Sequence, residues 1–142
     1  MLSYKRKGRR NFAKFHNKVK LAGSSICKPL IKLYKLSLLS IEYGKVTAEE
    51  LESARVSLKR ILRKRGKIYC RAYAYLPVNE RALGVRMGKG KADKIKTYVC
   101  PVKPGKILYE ISGVSLNKGR RVLMLAAKKL SVKTKISNIF IY

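Results

Sequence analysis

Side chains that could perform acid–base chemistry or bind a metal are scarce in this sequence. It has one histidine, at position 16, and no two of its three cysteines share a C-x-x-C or similar metal-ligand spacing. Three of the carboxylates lie where a helix is predicted to begin, and the helix dipole favours negative charge there. This interpretation is favoured over a catalytic acid–base pair. We therefore predict no enzyme, no metal site and no cofactor. The seven acids are Glu42, Glu49, Glu50, Glu52, Glu80, Asp93 and Glu110.

Positive charge is the dominant feature of the chain. Of its 142 residues, 35 are lysine or arginine and 7 are aspartate or glutamate, so the net charge is +28. Only a polyanion balances such an excess, and nucleic acid is the commonest one. Apolar residues make up 46% of the chain, enough for the core of one domain. The longest apolar stretch, residues 36–41, is too short to span a membrane, and we expect no membrane partner.

The first 25 residues carry many basic side chains and no acid. Because such a block repels itself, it predicts an extended tail. Phe12 and Phe15 lie among the charges, and their rings could stack on exposed RNA bases. The alternative is a solvated tail with no RNA contact. We assign residues 1–25 to a basic tail and residues 26–142 to a single domain.

Two helices are predicted. Thr47 and Glu50 have the spacing of a capping box, and the first helix is expected to end after Arg65, before Gly66. The second helix is predicted over residues 116–130, with Gly119 as an awkward interior residue. The residues expected to face the core from the first helix are Leu51, Ala54, Leu58, Ile61 and Leu62.

Strands are predicted from alternation of apolar and polar residues. Residues 67–75 alternate strictly, with Ile68, Cys70, Ala72 and Ala74 expected to face the core. The tyrosines and Arg71 between them form either a nucleic-acid-binding face or the second face of a sheet. The other segments are one or two strands in 29–43, a long connection in 76–94, a strand at 95–102, a Pro104-Gly105 turn, a returning strand at 106–111 and a last strand in 132–142.

The loop Arg86-Met87-Gly88-Lys89-Gly90-Lys91 carries the most specific pattern. It is not a P-loop, since no Ser or Thr follows a Gly-Lys pair, and it lacks the third glycine of a dinucleotide fingerprint. Its glycines allow the backbone to approach RNA closely, and an arginine can grip phosphate bidentately. The pattern by itself indicates a flexible, cationic loop.

Together with the residues around it, this loop closely resembles one known family. It is followed by residues 102–111, which read Val-Lys-Pro-Gly-Lys-Ile-Leu-Tyr-Glu-Ile, and then by Gly113-Val114. This succession is similar to that of the large-subunit ribosomal protein family numbered sixteen. The departures are Ala92, where the family usually has glycine, and Tyr69 and Tyr98, where it has tryptophan. The other similar stretches, in order along the chain, are 1–6, 12–16, 47–55, 66–68 and 126–135.

The resemblance implies an α+β fold, in which a mostly antiparallel, hammerhead-like sheet packs against two helices and a basic N-terminal tail extends from the domain. It also implies a structural constituent of the ribosome that binds large-subunit rRNA between the peptidyl-transferase centre and the tRNA elbow. Loop 86–91 would reach toward the A- and P-site tRNAs. The expected partners are large-subunit rRNA, these tRNAs and neighbouring large-subunit proteins.

The candidate contact residues form two groups. Those expected to bind rRNA are Lys5, Arg6, Lys7, Arg9, Arg10, Lys14, His16, Arg55, Lys59 and Arg71. Those of the tRNA-proximal loop are Arg86, Met87, Gly88, Lys89, Gly90 and Lys91.

The compartment is predicted from the N-terminus and from composition. The match begins at Met1, so we interpret the basic N-terminus as the family's own tail rather than as a cleaved presequence. Gly113-Val114-Ser115-Leu116 resembles the mitochondrial members, and the bias toward Ile, Lys and Tyr is typical of an AT-rich genome. We expect a mitochondrial ribosome, in the matrix, and an organellar gene; the alternative is the bacterial cytoplasm.

Three other functions stay open as alternatives. One is a free single-strand- or tRNA-binding module that uses Tyr69, Tyr73 and Tyr75 as a stacking platform. Another is a nucleic-acid-directed enzyme that uses Glu80 or Asp93. The third is a membrane-surface protein, which the alanine-rich helices argue against because they lack bulky apolar anchors.

Overall fold

The computed structural model describes residues 35–63, 65–88, 90 and 94–139. Two helices and seven strands lie in these ranges, which confirms the predicted α+β class. The predicted tail, residues 1–25, lies outside them. In chain order the elements are β1 (Lys35–Ser40), β2 (Gly44–Thr47), α1 (Ala48–Leu62), β3 (Lys67–Cys70), β4 (Leu76–Asn79), β5 (Ile95–Val102), β6 (Ile107–Ser112), α2 (Leu116–Ala127) and β7 (Thr134–Ile139).

The strands form two antiparallel sheets. The first has the order β3-β6-β1-β7 and the second has the order β2-β5-β4. The Pro104-Gly105 turn is confirmed, with the Lys106 N–H donating to the Lys103 carbonyl at 3.1 Å. The strand after it joins the first sheet rather than returning alongside β5, so this turn is one of the points where the chain passes from one sheet to the other.

The core lies between the helices and the sheets. Leu51, Ala54, Leu58 and Leu62 of α1 are almost completely buried, and each buried leucine stabilises the fold by roughly 1.5–3 kcal/mol. Tyr109 of β6 is also buried, and its hydroxyl donates to the Leu51 carbonyl oxygen at 2.6 Å. This bond ties the first sheet to α1, and α1 in turn contacts α2.

The predicted capping box begins α1. The Glu50 N–H donates to Thr47 Oγ1 at 3.2 Å, and the Thr47 N–H donates to Glu50 Oε2 at 3.3 Å. The helix ends at Leu62, earlier than predicted, because Arg63 takes a φ of 51°. Ile61 was expected in the core but is 36% exposed, since it lies about 100° around the helix from Leu62.

The predicted strand 67–75 is only partly correct, because β3 ends at Cys70. The N–H groups of Arg71 and Ala72 both donate to the Leu108 carbonyl, at 2.9 and 3.3 Å. Two residues facing one partner is the arrangement of a bulge, which ends the regular ladder. Cys70 is exposed, against the prediction, whereas Ala72 is buried as predicted.

The predicted connection 76–94 contains the strand β4, which the sequence analysis missed. Pro77 is an unfavourable residue for a strand in the sequence, since proline has no N–H to donate to a sheet. Among the described strands, β4 pairs only with β5 and so lies at an edge of its sheet, where proline is tolerated.

Helix α2 is shorter than predicted and ends at Ala127. Leu116 is 42% exposed, while Val122 and Leu123 are buried. Gly119 is buried against Leu36 of β1, and a Cβ on this glycine would overlap the Leu36 side chain. Gly119, although unfavourable for helix propensity, therefore allows α2 to pack closely on β1.

Candidate nucleic-acid interface

Three of the predicted rRNA-binding residues line one groove. Arg55 and Lys59 project from α1, and Arg71 comes directly after β3. The groove, hereafter the α1–β3 groove, has a volume of about 600 Å³. Its lining also includes Arg63, Ile68 and Tyr69.

The spacing of the basic residues on α1 places them on the groove side. Arg55, Lys59 and Arg63 are four residues apart, and side chains at this spacing lie on one face of a helix. The buried residues of α1 occupy another face and fix the helix against the sheets. Arg63 was not among the predicted contacts, although the same four-residue spacing would have indicated it.

The four groove cations differ in their partners. Arg55 donates to Glu52 from Nε at 2.9 Å and from Nη2 at 2.6 Å, so its guanidinium is held along the helix. Lys59 and Arg63 are exposed, and neither forms an ion pair within the described part of the chain. These two charges are therefore the most available to a phosphate.

Arg71 is positioned by a buried acid. Its Nε lies 3.9 Å from Oε1 of Glu110, a fully buried residue, while the Arg71 side chain is 24% exposed. Among the described residues, neither carboxylate oxygen of Glu110 accepts a hydrogen bond. A buried carboxylate requires a nearby counter-charge. Glu110 therefore holds the Arg71 guanidinium at the edge of the groove.

The predicted tRNA-proximal loop is the tip of the β4–β5 hairpin. Asn79 pairs with Ile95, and the Glu80 N–H donates to the Lys94 carbonyl at 3.0 Å, so the loop leaves the sheet from paired ends. Arg86 is exposed, and Met87 is 92% exposed. The predicted contact residues that lie outside the described ranges are Lys5, Arg6, Lys7, Arg9, Arg10, Lys14, His16, Lys89 and Lys91.

The loop glycines are required because of their backbone conformation, and not because a larger side chain would clash with a neighbouring atom. Gly88 has a φ of 106° and Gly90 a φ of 77°, and a Cβ on either would meet no atom within 4 Å. Side chains other than glycine are strained at such angles. Arg81 Nη2 donates to the Gly90 carbonyl at 2.6 Å, a bond that spans the loop.

Comparison with known proteins decides the family that the hairpin loop and the stretches around it resemble. The sequence model described as Ribosomal protein L16p/L10e matches residues 5–137. The chain belongs to this family. It is therefore a structural ribosomal protein of the large-subunit type, and it is not an enzyme.

Individual relatives agree with this assignment. A protein from Psychrobacter arcticus named large ribosomal subunit protein uL16 is 43% identical over 102 residues, which cover 72% of this chain and 74% of the relative. One of the same name from Kosmotoga olearia is 38% identical over 117 residues, 82% of each chain. One from Acinetobacter baumannii is 43% identical over 101 residues, 71% of this chain and 73% of the relative. These relatives are bacterial.

Of the two acids considered for catalysis, one forms an ion pair and the other lies outside the described residues. Glu80 forms an ion pair with Lys96 on the exposed hairpin, and Asp93 is outside the described residues. Although part of Cys70 is exposed, desolvation raises the pKa of its thiol, which disfavours the reactive thiolate. Among the described positions, no group of three or more His, Cys, Asp or Glu could hold a metal. Neither described helix is long and apolar enough to cross a membrane.

Proposed function

We propose that this protein binds large-subunit rRNA through the α1–β3 groove and its basic N-terminal tail, near the peptidyl-transferase centre. The observation that carries the proposal is the convergence of Arg55, Lys59, Arg63 and Arg71 on one groove. Each cation that neutralises a phosphate releases condensed counterions, and this release drives association. Tyr69, which also lines the groove, offers a ring on which an unpaired base could stack.

We also propose that the hairpin loop helps to position A- and P-site tRNA. The support is geometric, since Arg86 and Met87 lie at an exposed tip whose base is fixed by β4–β5 pairing. Arginine suits this role because its planar guanidinium binds phosphate bidentately and stacks on bases. The folded domain would hold the base of the loop in a fixed position.

For the compartment, we propose the mitochondrial matrix and an organellar gene. The support is the Gly113-Val114-Ser115-Leu116 segment together with the Ile, Lys and Tyr bias. The bacterial relatives are equally compatible with the alternative, a bacterial cytoplasm. Detection of a longer precursor whose cleavage depends on import would contradict the proposal of an organellar gene.

Sedimentation of a lysate through sucrose gradients, at moderate and then at high salt, tests the ribosomal proposal. We expect the protein to co-migrate with the large subunit at moderate salt. Removal of residues 1–20 should lower its incorporation, because those residues supply charge for rRNA. Recovery of the full chain only at the top of the gradient, free or with tRNA, would contradict the proposal and favour a free RNA-binding module.

A further inference from the structure

A second groove, lined by apolar rather than basic side chains, lies between α1 and α2. It has a volume of about 1140 Å³ and is hereafter the α1–α2 groove. Val56 and Ile61 of α1 and Leu125 of α2 form its floor, and they are 48%, 36% and 42% exposed. Single exposed apolar residues are ordinary on protein surfaces, but three gathered in one groove indicate a contact surface.

At the end where α1 begins, the two sides of this groove carry opposite charges. Glu49 and Glu52 lie there on α1 and Lys128 and Lys129 on the α2 side, whereas Arg60 lines the groove toward the other end of α1. Ser131, just beyond α2, donates to Glu50 in the first turn of α1 at 2.9 Å, and Lys118 near the start of α2 lines a pocket with Leu62 at the end of α1, so the two helices run antiparallel. At the start of α1 the groove thus has acidic side chains on one side of its apolar lining and basic side chains on the other.

This combination fits a protein helix better than RNA. An RNA backbone would gain nothing from the apolar side chains of Val56, Ile61 and Leu125, and at the start of α1 it would bring phosphates toward Glu49. The lining residues of α1 run from Ala48 to Ile61, which at 1.5 Å per residue is roughly 20 Å, the length of about three to four helical turns. Amphipathic helices commonly bind in such grooves through an apolar stripe.

We infer that the α1–α2 groove binds an amphipathic helix of a neighbouring large-subunit protein. Its apolar stripe covers Val56, Ile61 and Leu125. One of its flanks is basic and faces Glu49, and the other is acidic and faces Lys128 and Lys129. The inference rests on the proposed place of the chain in the large subunit, and it assigns this face to protein rather than to rRNA.

Leu125 and Met124 form a matched pair for the test. They are adjacent in α2 and are 42% and 57% exposed, but only Leu125 lines the groove. A glutamate at either position would lie four residues before a lysine, Lys128 or Lys129, which is a favourable pair on a helix. Both L125E and M124E should therefore fold, and thermal unfolding checks this.

The experiment uses large subunits that are stripped of this protein with high salt and refilled with the recombinant full chain. A photo-reactive amino acid at position 125 or, as control, at position 124 is activated in the refilled subunits, and the cross-linked product is sequenced. We expect position 125 to cross-link to a peptide of a neighbouring protein with an apolar stripe, one basic flank and one acidic flank. Position 124 should give little or none of this product.

A second measurement places the reactive group at position 56 and adds L125E or M124E. L125E should lower the yield of the same cross-link on the order of tenfold, the effect expected from losing the burial of a half-exposed leucine. M124E should change it less than about twofold.

The outcomes separate this inference from the proposed function. If the full chain fails to re-enter stripped subunits, the proposed function is overturned, and this inference with it. If it re-enters but position 125 cross-links to rRNA, to residues 1–34 of the chain itself, to a second copy or to nothing, only this inference is overturned.

Discussion

Arg55, Lys59, Arg63 and Arg71 line one groove, yet their charges are not equivalent. Arg55 is bound to Glu52 and Arg71 lies beside the buried Glu110, whereas Lys59 and Arg63 have no ion pair within the described ranges. An arginine that already has a carboxylate partner gains less from a phosphate than a solvated cation does. We therefore expect Lys59 and Arg63 to contribute most to affinity and Arg71 to fix the shape of the groove.

The pair of Arg71 and Glu110 gives a prediction about stability. R71A removes the nearby positive charge and leaves a buried carboxylate without compensation. Because Arg71 is partly exposed, we expect a loss of about 2–3 kcal/mol in the free energy of unfolding. Urea titration followed by circular dichroism measures this loss.

Two variants serve as controls for this prediction. R71K keeps the charge and should lose less stability, and E110Q placed in the R71A background should recover at least part of the loss. An R71A protein with the urea midpoint of the wild type would show that Glu110 does not need Arg71.

A second residue-scale prediction concerns Gly119. In an exposed helix, glycine to alanine usually stabilises by about 1 kcal/mol. Here G119A should instead destabilise by about 1–3 kcal/mol, because the added methyl group overlaps Leu36. In thermal unfolding, G119A combined with L36A should cost less than the sum of the two single changes. Additive costs, or a stabilised G119A, would contradict the packing explanation.

Among the elements, those whose signals are local were predicted well from the sequence. The Thr47–Glu50 capping box sets the start of α1, and β5 spans the predicted residues 95–102. The errors occur where another element decides the local structure. The Leu108 carbonyl of β6 ends β3 early, and the edge position of β4 makes Pro77 acceptable. Neither effect is visible in a short window of sequence.

The next prediction concerns the β4–β5 hairpin and its effect on tRNA binding. R86A changes one exposed side chain at the hairpin tip and leaves the pairing at its base intact. We expect nearly normal incorporation into large subunits but weaker tRNA binding and slower translation per ribosome. Gradient sedimentation and tRNA binding to purified ribosomes measure these two properties separately. Failed assembly together with normal translation per ribosome would reverse the roles proposed for the loop and the groove.

At the scale of the whole molecule, the described acids have partners within the chain, whereas most of the described lysine and arginine side chains are exposed. Each of the six described acids accepts a hydrogen bond or lies beside a cation of the same chain. Their partners are the Lys133 N–H for Glu42, Thr97 for Glu49, Ser131 and Thr47 for Glu50, Arg55 for Glu52, Lys96 for Glu80 and Arg71 for Glu110. The excess of lysine and arginine is left for an external polyanion.

The candidate site was predictable in part from the sequence. Charge indicated the class of partner, and the resemblance indicated the loop and three of the groove residues. The sequence could not show that Arg55 is bound to Glu52 or that Glu110 lies behind Arg71, because these relations depend on side-chain geometry and sheet register. The apolar α1–α2 groove was also missed, because Ile61 was assigned to the core.

The salt dependence of binding to isolated large-subunit rRNA tests whether the α1–β3 groove binds phosphates. The full chain is compared with a K59A/R63A variant of the α1–β3 groove and with a K45A/K135A control, whose lysines are exposed but do not line the groove. If the groove binds phosphates, K59A/R63A should reduce the slope of log K against log salt by about 1.4–1.8, and the control by well under 1. A groove variant with the slope and affinity of the wild-type chain would show that the α1–β3 groove does not bind rRNA phosphates.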